Sequence, residues 1–286
     1  MSLDVTFWGT RGSIPTPGPG TARYGGNTAC LTLLAGGERL VLDGGTGLRA
    51  LGKRLVERPG GPERVRLLLS HTHWDHIQGI PFFRPLYQRG AVVEIFGPAG
   101  PPGATLGEVL TGQMAAPVFP VPASAVAAEL VIRELASPAL SLGPFAIRAI
   151  SAKHPAPTLG YAVSLGGATP LVSYLTDNDL DAFDPAERRD LVATIRNSAL
   201  LIHDAMYFEA EAPTRAGWGH STAKAAVRLA AEAGAERLAL FHHDPDHDDP
   251  TLERLLGEAA AERDRLGAGL ELALATEGAT IRLETP

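Results

Sequence analysis

The segment LLLSHTHWDHIQGIP, residues 67–81, constrains this 286-residue chain more than any other feature. It follows an apolar run and places His71, His73, Asp75 and His76 within six positions. Alternate residues of an extended segment point to the same side, so His71 and His73 can bind one metal ion together. Asp75 and His76 come after the chain has turned, at the start of a helix, and can bind a second ion. Imidazole and carboxylate ligands suit zinc, with manganese or iron as alternatives, so the segment predicts two divalent ions.

Short apolar runs bounded by Gly, Pro or charged residues recur along the chain and predict strands. These runs lie at residues 3–8, 30–35, 39–43, 65–70, 91–96, 145–150, 161–165, 171–177, 199–205, 237–243 and 279–284. Helical patterns lie at 46–57, 221–234 and 250–266, with a short helix at 104–112. Many strands with helices after some of them predict an α/β domain, a two-sheet sandwich with helices outside. The Pro- and Gly-rich stretch 97–124 is a surface excursion, either a plain long loop or a substrate lid.

One loop cannot complete the ligand shells of two ions, so further ligands must come from later in the chain. The candidates are His or Asp residues at or beyond the ends of predicted strands: His154, Asp177, His203, His220, and His242 or His243. A carboxylate such as Asp177 can bridge two ions with its two oxygens. These positions fit a site built along one edge of the sandwich.

The motif HTHWDH resembles the His-x-His-x-Asp-His signature of the metallo-β-lactamase superfamily. Four further segments are similar to those of its ribonuclease Z-like phosphodiesterase branch: FWGTRGSIPTPG, LVLDGGTGLRAL, HPAPTLGYAVS and LLIHDAMY followed by GHSTAKAA. The resemblance implies the metallo-β-lactamase fold, a four-layer αββα sandwich. It also implies a single domain over residues 1–286, with the excursion at about 97–124 on its surface.

The resemblance divides seven metal ligands between two ions: His71, His73 and His154 on one, Asp75, His76 and His242 on the other, with Asp177 bridging them. His242 is preferred to His243 because it holds the family position directly after the strand LALF. Two such ions, about 3.5–4 Å apart, can share a water and deliver it as hydroxide to phosphorus. Asp75 is therefore expected to be essential for hydrolysis.

The same resemblance makes His220 the proton donor to the leaving group, held in place by Asp204. Here Asp stands where the branch has Glu, so whether the shorter side chain reaches His220 is left open. Asp43 either orients the metal-binding loop or only forms a turn. His203 is expected to be structural, because strand alternation points it away from the side of Asp204.

Three further features carry weaker expectations. The loop GTRGS, residues 9–13, is either a turn or a set of backbone N–H groups for a phosphate. Arg11 and Arg23 either add charge to such a phosphate pocket or face solvent. His247 lies in the acidic run DPDHDD, which is expected to be solvated.

These features predict a metal-dependent hydrolase, first of all a dinuclear zinc phosphodiesterase. The net charge is −7 and residues 97–124 contain no Lys or Arg, which counts against tRNA because phosphate contacts dominate nucleic-acid affinity. We therefore expect a small phosphodiester such as a cyclic nucleotide rather than nucleic acid. The alternatives are a ribonuclease Z-type tRNA 3′-processing endonuclease, and a metal-binding sensor or binding module without turnover.

Two absences in the sequence bear on location. The first residues lack a basic start followed by an apolar run, so no signal peptide is predicted. No run reaches the roughly 18 apolar residues of a membrane span. We expect a cytoplasmic protein without a membrane partner, and analogy with the branch suggests a homodimer.

Overall fold

A computed structural model describes residues 2–58, 60 and 64–284 of the chain. The strands in this part are β1 (Ser2–Gly9), β2 (Cys30–Ala35), β3 (Glu38–Leu42), β4 (Arg64–Leu68), β5 (Val92–Gly97), β6 (Glu129–Glu134), β7 (Ala139–Leu142), β8 (Phe145–Ser151), β9 (Leu159–Ser164), β10 (Val172–Leu175), β11 (Leu200–Asp204), β12 (Arg237–Phe241), β13 (Glu271–Leu274) and β14 (Thr280–Glu284). The α-helices are α1 (Gly47–Val56), α2 (Trp74–Ile77), α3 (Leu106–Gly112), α4 (Pro185–Ile195), α5 (Ala223–Ala233) and α6 (Asp249–Arg265).

The strands form two seven-stranded sheets of similar design. Their orders are β14-β1-β2-β3-β4-β5-β6 and β13-β12-β11-β10-β9-β8-β7. In the first sheet β3 to β6 run parallel and the remaining pairs are antiparallel. In the second sheet β10 to β13 run parallel, and β7 to β10 are joined by antiparallel pairs. Each sheet therefore has a parallel half, whose strands all end at the same edge.

Three buried clusters define the layers. The inner faces of the two sheets share one apolar core, which includes Phe7 and Leu33 from the first sheet and Tyr174 and Phe241 from the second. Apolar residues of α1 and α3 pack on the outer face of the first sheet. Apolar residues of α4, α5 and α6 pack on the outer face of the second. This confirms the predicted αββα sandwich.

Local sequence explains where the predicted helices begin and end. The side chain of Thr222 accepts a hydrogen bond from the backbone of Ala225, and α5 stops at Gly234 in the left-handed conformation. In the 97–124 excursion, Thr105 and Glu108 form a capping box that starts α3. Leu106 of this helix is buried against the first sheet, so the middle of the excursion is packed rather than loose.

The longest helix is α6, with 17 residues. Within the described ranges no helix is both long enough and apolar enough to cross a lipid bilayer.

Candidate metal centre

The parallel halves of the two sheets bring the predicted site residues to one edge of the sandwich. Asp43 directly follows β3, and His71 lies three residues beyond the end of β4. In the second sheet Asp177 comes just after β10, Asp204 ends β11 and His242 directly follows β12. The site therefore lies where the carboxyl ends of parallel strands from both sheets meet.

The structure gathers the seven predicted ligands into two groups that share one member. Ligand atoms within 4.8 Å of one another belong to His71, His73, His154 and Asp177 in the first group and to Asp75, His76, Asp177 and His242 in the second. Asp177 Oδ1 lies 3.1 Å from His76 Nε2 and 3.2 Å from His242 Nε2. Its other oxygen, Oδ2, lies 3.7 Å from His71 Nε2. One carboxylate thus faces both groups, as a bridging ligand must.

The histidine rings are oriented for metal binding by neighbours outside the two groups. Asp43 Oδ2 lies 2.8 Å from His76 Nδ1, and the carbonyl oxygen of Gly219 lies 3.1 Å from His154 Nδ1. Because these oxygens only accept, each Nδ1 carries a hydrogen and each Nε2 is the nitrogen that faces the site.

Two further observations fit a pair of cations. His71 Nε2 is buried and has no hydrogen-bond partner in the described part of the chain. His76 Nε2 and His242 Nε2 lie only 3.4 Å apart, and two nitrogen lone pairs at that distance repel unless a proton or a cation lies between them. The donor set of imidazoles and carboxylates is the one that zinc prefers.

Burial and neighbouring charges shift the pKa values of several ligands toward the forms that bind a metal. Burial lowers the pKa of His71 well below its ordinary value, which keeps that ring neutral. Burial raises the pKa of Asp177, but His242 and His76 outweigh burial, and the pKa lies well below its ordinary value. The pKa of Asp75 is lowered in the same way, chiefly by His76 against burial. Neutral imidazoles and ionised carboxylates are the states that metal binding requires. His76 is the exception: burial lowers its pKa, but Asp75 and Asp177 outweigh burial and raise it well above the ordinary value, so an ion would replace its proton.

Strained backbone also concentrates at the site. Five non-glycine residues of the described chain have φ near +50° to +60°, and four of them are Ser13, Asp43, Asp177 and His242. Such φ values are sparsely populated for residues with a Cβ and persist where the surroundings impose them. The surrounding fold therefore holds an unfavourable backbone conformation in segments that carry or contact the ligands.

The loop 9–13 contacts the second ligand group through backbone. The N–H of Ser13 donates to Asp75 Oδ2 at 2.8 Å. A Cβ on Gly12 would lie 2.3 Å from the ring of His242, so only glycine lets the loop approach this closely. The N–H groups of Thr10 and Arg11 both point to the carbonyl of Asn27, and that of Gly12 to His243. The phosphate-loop interpretation is therefore wrong, because the N–H groups of Thr10 to Ser13 bind protein oxygens.

Asp204 reaches His220 despite its short side chain. Asp204 Oδ2 lies 2.6 Å from His220 Nδ1, and the carboxylate is fully buried. Burial lowers the pKa of His220, but the charge and hydrogen bond of Asp204 outweigh it and raise the pKa to about 9. The ring of His220 stacks on His242 with centroids 4.9 Å apart and meets His154 edge-on at 5.4 Å. The ring of His220 thus adjoins both ligand groups.

Two sequence expectations about charged residues are wrong for one shared reason. Arg11 is completely buried and donates to the backbone carbonyls of Asp244 (2.9 Å) and His247 (2.6 Å). It therefore neither faces solvent nor lines a phosphate pocket. By holding these carbonyls it draws the acidic run inward, so His247 is buried and hydrogen-bonded to Glu211 instead of solvated. Arg23 is exposed and ion-paired with Glu253.

The remaining histidines lie outside the two ligand groups. His203 is buried between Asn178 and the backbone carbonyl of Asp204. His243 donates through Nε2 to the carbonyl of Ala275 at 2.8 Å, whereas its neighbour His242 faces Asp75.

Sequence reasoning missed two residues that support the ligands. Ser70 donates its hydroxyl to Asp43 Oδ2 at 2.9 Å, and Tyr174 donates to the same oxygen at 2.7 Å. With the contact to His76, three groups converge on one buried carboxylate. Asp43 therefore connects β3, the metal-binding loop and β10, which is far more than a turn requires. No sequence pattern marks Tyr174, since it reads as a core residue of its strand.

Known proteins resemble this chain in sequence and in structure. A family model described as the beta-lactamase superfamily domain matches residues 38–243. The chain is 28% identical to ribonuclease Z of Natronomonas pharaonis, over 85% of this chain and 87% of that protein. It is 26% identical to ribonuclease Z of Haloarcula marismortui, over 100% and 98% of the two chains. Among solved structures it is similar to the metallo-beta-lactamase fold protein YhfI of Bacillus subtilis, with a TM-score of 0.69, 19% identity and coverage of 99% and 100%.

The fold and the site therefore define a metal-dependent hydrolase. Because the family model matches well over half of its length, the chain belongs to the β-lactamase superfamily, as the motif HTHWDH predicted.

Proposed function

We propose that this protein hydrolyses phosphodiester bonds in RNA, as a ribonuclease Z-type enzyme that uses two divalent metal ions. The observation that carries the proposal is the Asp204–His220 pair beside the two ligand groups. The curated relatives named ribonuclease Z support it, because they align along most of the chain. Because of these relatives we put RNA first as the substrate, ahead of the small phosphodiester that the acidic net charge favours.

The two ligand groups would hold the ions, with zinc the first candidate and manganese or iron the alternatives. Such ions supply Lewis acidity toward phosphoryl oxygens and activate water at neutral pH. The protein contributes fixed ligand directions through Asp43 on His76 and Gly219 on His154. Rings held this way are oriented before an ion or a substrate binds.

His220 would provide the proton that the leaving oxygen requires. Its Nδ1 is engaged by Asp204, so Nε2 is the nitrogen that can donate to the substrate. Asp204 is fully buried and also accepts the backbone N–H groups of Met206 and Ser221, which fixes the carboxylate. A proton donor positioned in this manner typically contributes about 10²–10⁴ to the rate.

A small phosphodiester such as a cyclic nucleotide is the second candidate. Its support is electrostatic: the net charge is −7, and the 97–124 excursion has no Lys or Arg with which to grip a folded RNA. A substrate with a single phosphate needs few protein cations, so the acidic surface would oppose it less.

The test is a substrate panel with the zinc- and manganese-loaded protein. It compares precursor tRNA, an unstructured RNA oligonucleotide, and 2′,3′- and 3′,5′-cyclic nucleotides. We expect about two ions per chain and the highest kcat/KM for an RNA. Highest kcat/KM for a cyclic nucleotide would establish the second candidate instead.

The same panel separates an enzyme from a sensor module. Asp75→Ala should abolish turnover, because Asp75 belongs to the second ligand group. Glu262→Gln is the matched control, since Glu262 is a buried carboxylate on α6 that pairs with Arg228 and Arg265. A metal-loaded protein that turns over no member of the panel would be a binding module.

A further inference from the structure

Two exposed tryptophans are next in the chain to residues of the metal centre. The described chain has seven exposed large apolar residues: Ile14, Trp74, Phe82, Tyr87, Val118, Trp218 and Leu266. Trp74 is 78% exposed and Trp218 60% exposed. Single exposed apolar residues are ordinary, but two indoles beside one polar site are not explained by chance exposure.

Both tryptophans are next in the chain to residues that belong to or contact the first ligand group. Trp74 directly follows His73, whose Nδ1 lies 3.1 Å from His154 Nε2. The other ring nitrogen of His154 contacts the carbonyl of Gly219, and Trp218 directly precedes that glycine. The His73–His154 pair thus connects the two tryptophan positions, and His73 is itself exposed. Solvent therefore reaches the first ligand group at His73, next to Trp74.

A cavity of about 290 Å³ lies next to the metal centre. Its wall includes His220 and the residues Gly217 and Ala216, which directly precede Trp218. Asp179 and Asp181 also line it with Arg215, which is ion-paired with Asp244, so these walls offer no surplus of positive charge to an additional phosphate. A flat, uncharged group such as a base would lie beside the proposed proton donor there, because His220 lines the cavity.

We propose that Trp74 and Trp218 are stacking surfaces for unpaired nucleobases next to the scissile phosphate. This deepens the proposed function and rests on it, because it assumes a nucleotide substrate. Every base offers a π face, whereas bases inside a duplex are not free to stack on a side chain. Stacking gives an acidic protein an affinity for RNA that does not depend on many cations. The substrate class is thus a phosphodiester with at least one unpaired base beside the cleaved bond.

The kinetic test compares two aryl phosphodiesters that differ in one base. They are thymidine 5′-(p-nitrophenyl phosphate) and methyl p-nitrophenyl phosphate, and the measured quantity is the ratio of their kcat/KM values. Trp74→Ala or Trp218→Ala should lower this ratio about 5- to 150-fold, which corresponds to about 1–3 kcal/mol per stacked base. Trp→Phe variants keep an aromatic face and should retain most of the ratio. Leu266→Ala truncates an exposed apolar residue at the end of α6 and should leave it unchanged.

A binding measurement is independent of turnover. Adenosine 5′-monophosphate should quench the tryptophan emission of the zinc-loaded wild type saturably, whereas ribose 5-phosphate should not. In the double variant Trp74→Phe, Trp218→Phe only Trp8 still emits, and its Nε1–H is bound to Thr32. That variant should show no saturable quenching.

The outcomes separate the two proposals. An unchanged ratio in both Ala variants overturns the stacking proposal while hydrolysis by the wild type still supports the proposed function. If the wild type cleaves neither ester nor any RNA, the proposed function fails, and the quenching titration alone decides whether the indoles bind bases.

Discussion

Replacing Asp204 by Asn isolates the carboxylate that faces His220. Asp204 Oδ1 accepts the backbone N–H groups of Met206 (3.1 Å) and Ser221 (3.3 Å), whereas Oδ2 faces His220 Nδ1. In the variant the amide oxygen keeps the two backbone bonds, so the NH₂ group faces Nδ1 and donates to it. The ring then carries its one hydrogen on Nε2 and cannot hold a second on Nδ1. The imidazolium is lost although the shape of the site is kept.

The pKa of His220 sets the size of the effect. A rise from 6.5 to about 9 corresponds to roughly 3 kcal/mol in favour of the imidazolium. That energy is a factor of about 10² in an equilibrium constant. Losing a positioned proton donor generally costs about 10²–10⁴ in rate. We expect kcat to fall within that range when the leaving group is a ribose alkoxide.

The assay compares two leaving groups on the same nucleotide. A dinucleotide must release an alkoxide, which needs a proton, whereas a p-nitrophenyl ester releases a phenolate that leaves without one. Asp204→Asn should therefore slow the dinucleotide far more than the ester, with metal content unchanged and Glu262→Gln as the control. If the two substrates slow equally, or the dinucleotide is cleaved at the wild-type rate, His220 does not act as the proton donor.

Three further changes test the surroundings of the ligands. Gly12→Ala should push His242 aside and lower the bound metal from two ions toward one per chain, measured by atomic absorption. Gly18→Ala is the control and should leave the metal content unchanged, because a Cβ at that position has no other atom within 4 Å. Asp43→Asn should weaken zinc binding about 10- to 100-fold in a chelator competition, and equal affinity would show that Asp43 does not support metal binding through His76. Two arginines lower the pKa of Glu262 to about 2, so the stability it adds is complete above its ordinary value of 4.5 and is lost as the pH falls toward 2. The difference in urea midpoint between wild type and Glu262→Gln should shrink over that range, and a constant difference would contradict the ion-pair origin.

The ligand motif could be predicted from sequence because its geometry is local. His71 and His73 follow an extended strand and share a face, and Asp75 and His76 lie in the first turn of a short helix. The distant ligands could be listed as candidates from their places at strand ends, but only the resemblance selected among them, since nothing local tells His242 from His243. The structure separates them by direction, because one ring faces Asp75 and the other faces Ala275.

What sequence could not supply depends on contacts between distant segments. Arg11 is an ordinary loop arginine until the fold brings the carbonyls of Asp244 and His247 to it. The edge strands β6, β7 and β13 were missed because their short sequences carry weak apolar alternation. Helix α4 was missed although Asp184, Pro185 and Glu187 form a capping signal, because few apolar residues follow it.

Charge and family point to different substrates, and the ionic-strength dependence of KM can decide between them. For a single strand, log KM changes with log salt by about 0.7 for each neutralised phosphate. An acidic protein that holds unpaired bases by stacking should neutralise one or two phosphates, which gives a slope of about 0.7 to 1.4. Between 50 and 200 mM salt the KM for an unstructured RNA should then rise by less than about tenfold.

A steeper dependence of log KM on log salt would indicate that RNA phosphates bind a basic surface away from the metal centre. Arg49, Lys53 and Arg84 line a separate groove with the rings of Phe82 and Phe119, at the end of the 97–124 excursion. If RNA follows that groove, the slope should exceed about 2, and Lys53→Ala should lower it by roughly 0.7. If stacking on the two tryptophans dominates, Lys53→Ala should leave the slope unchanged, because the lysine never meets a phosphate. The slope therefore measures which surface of the protein holds the substrate, whatever its sequence.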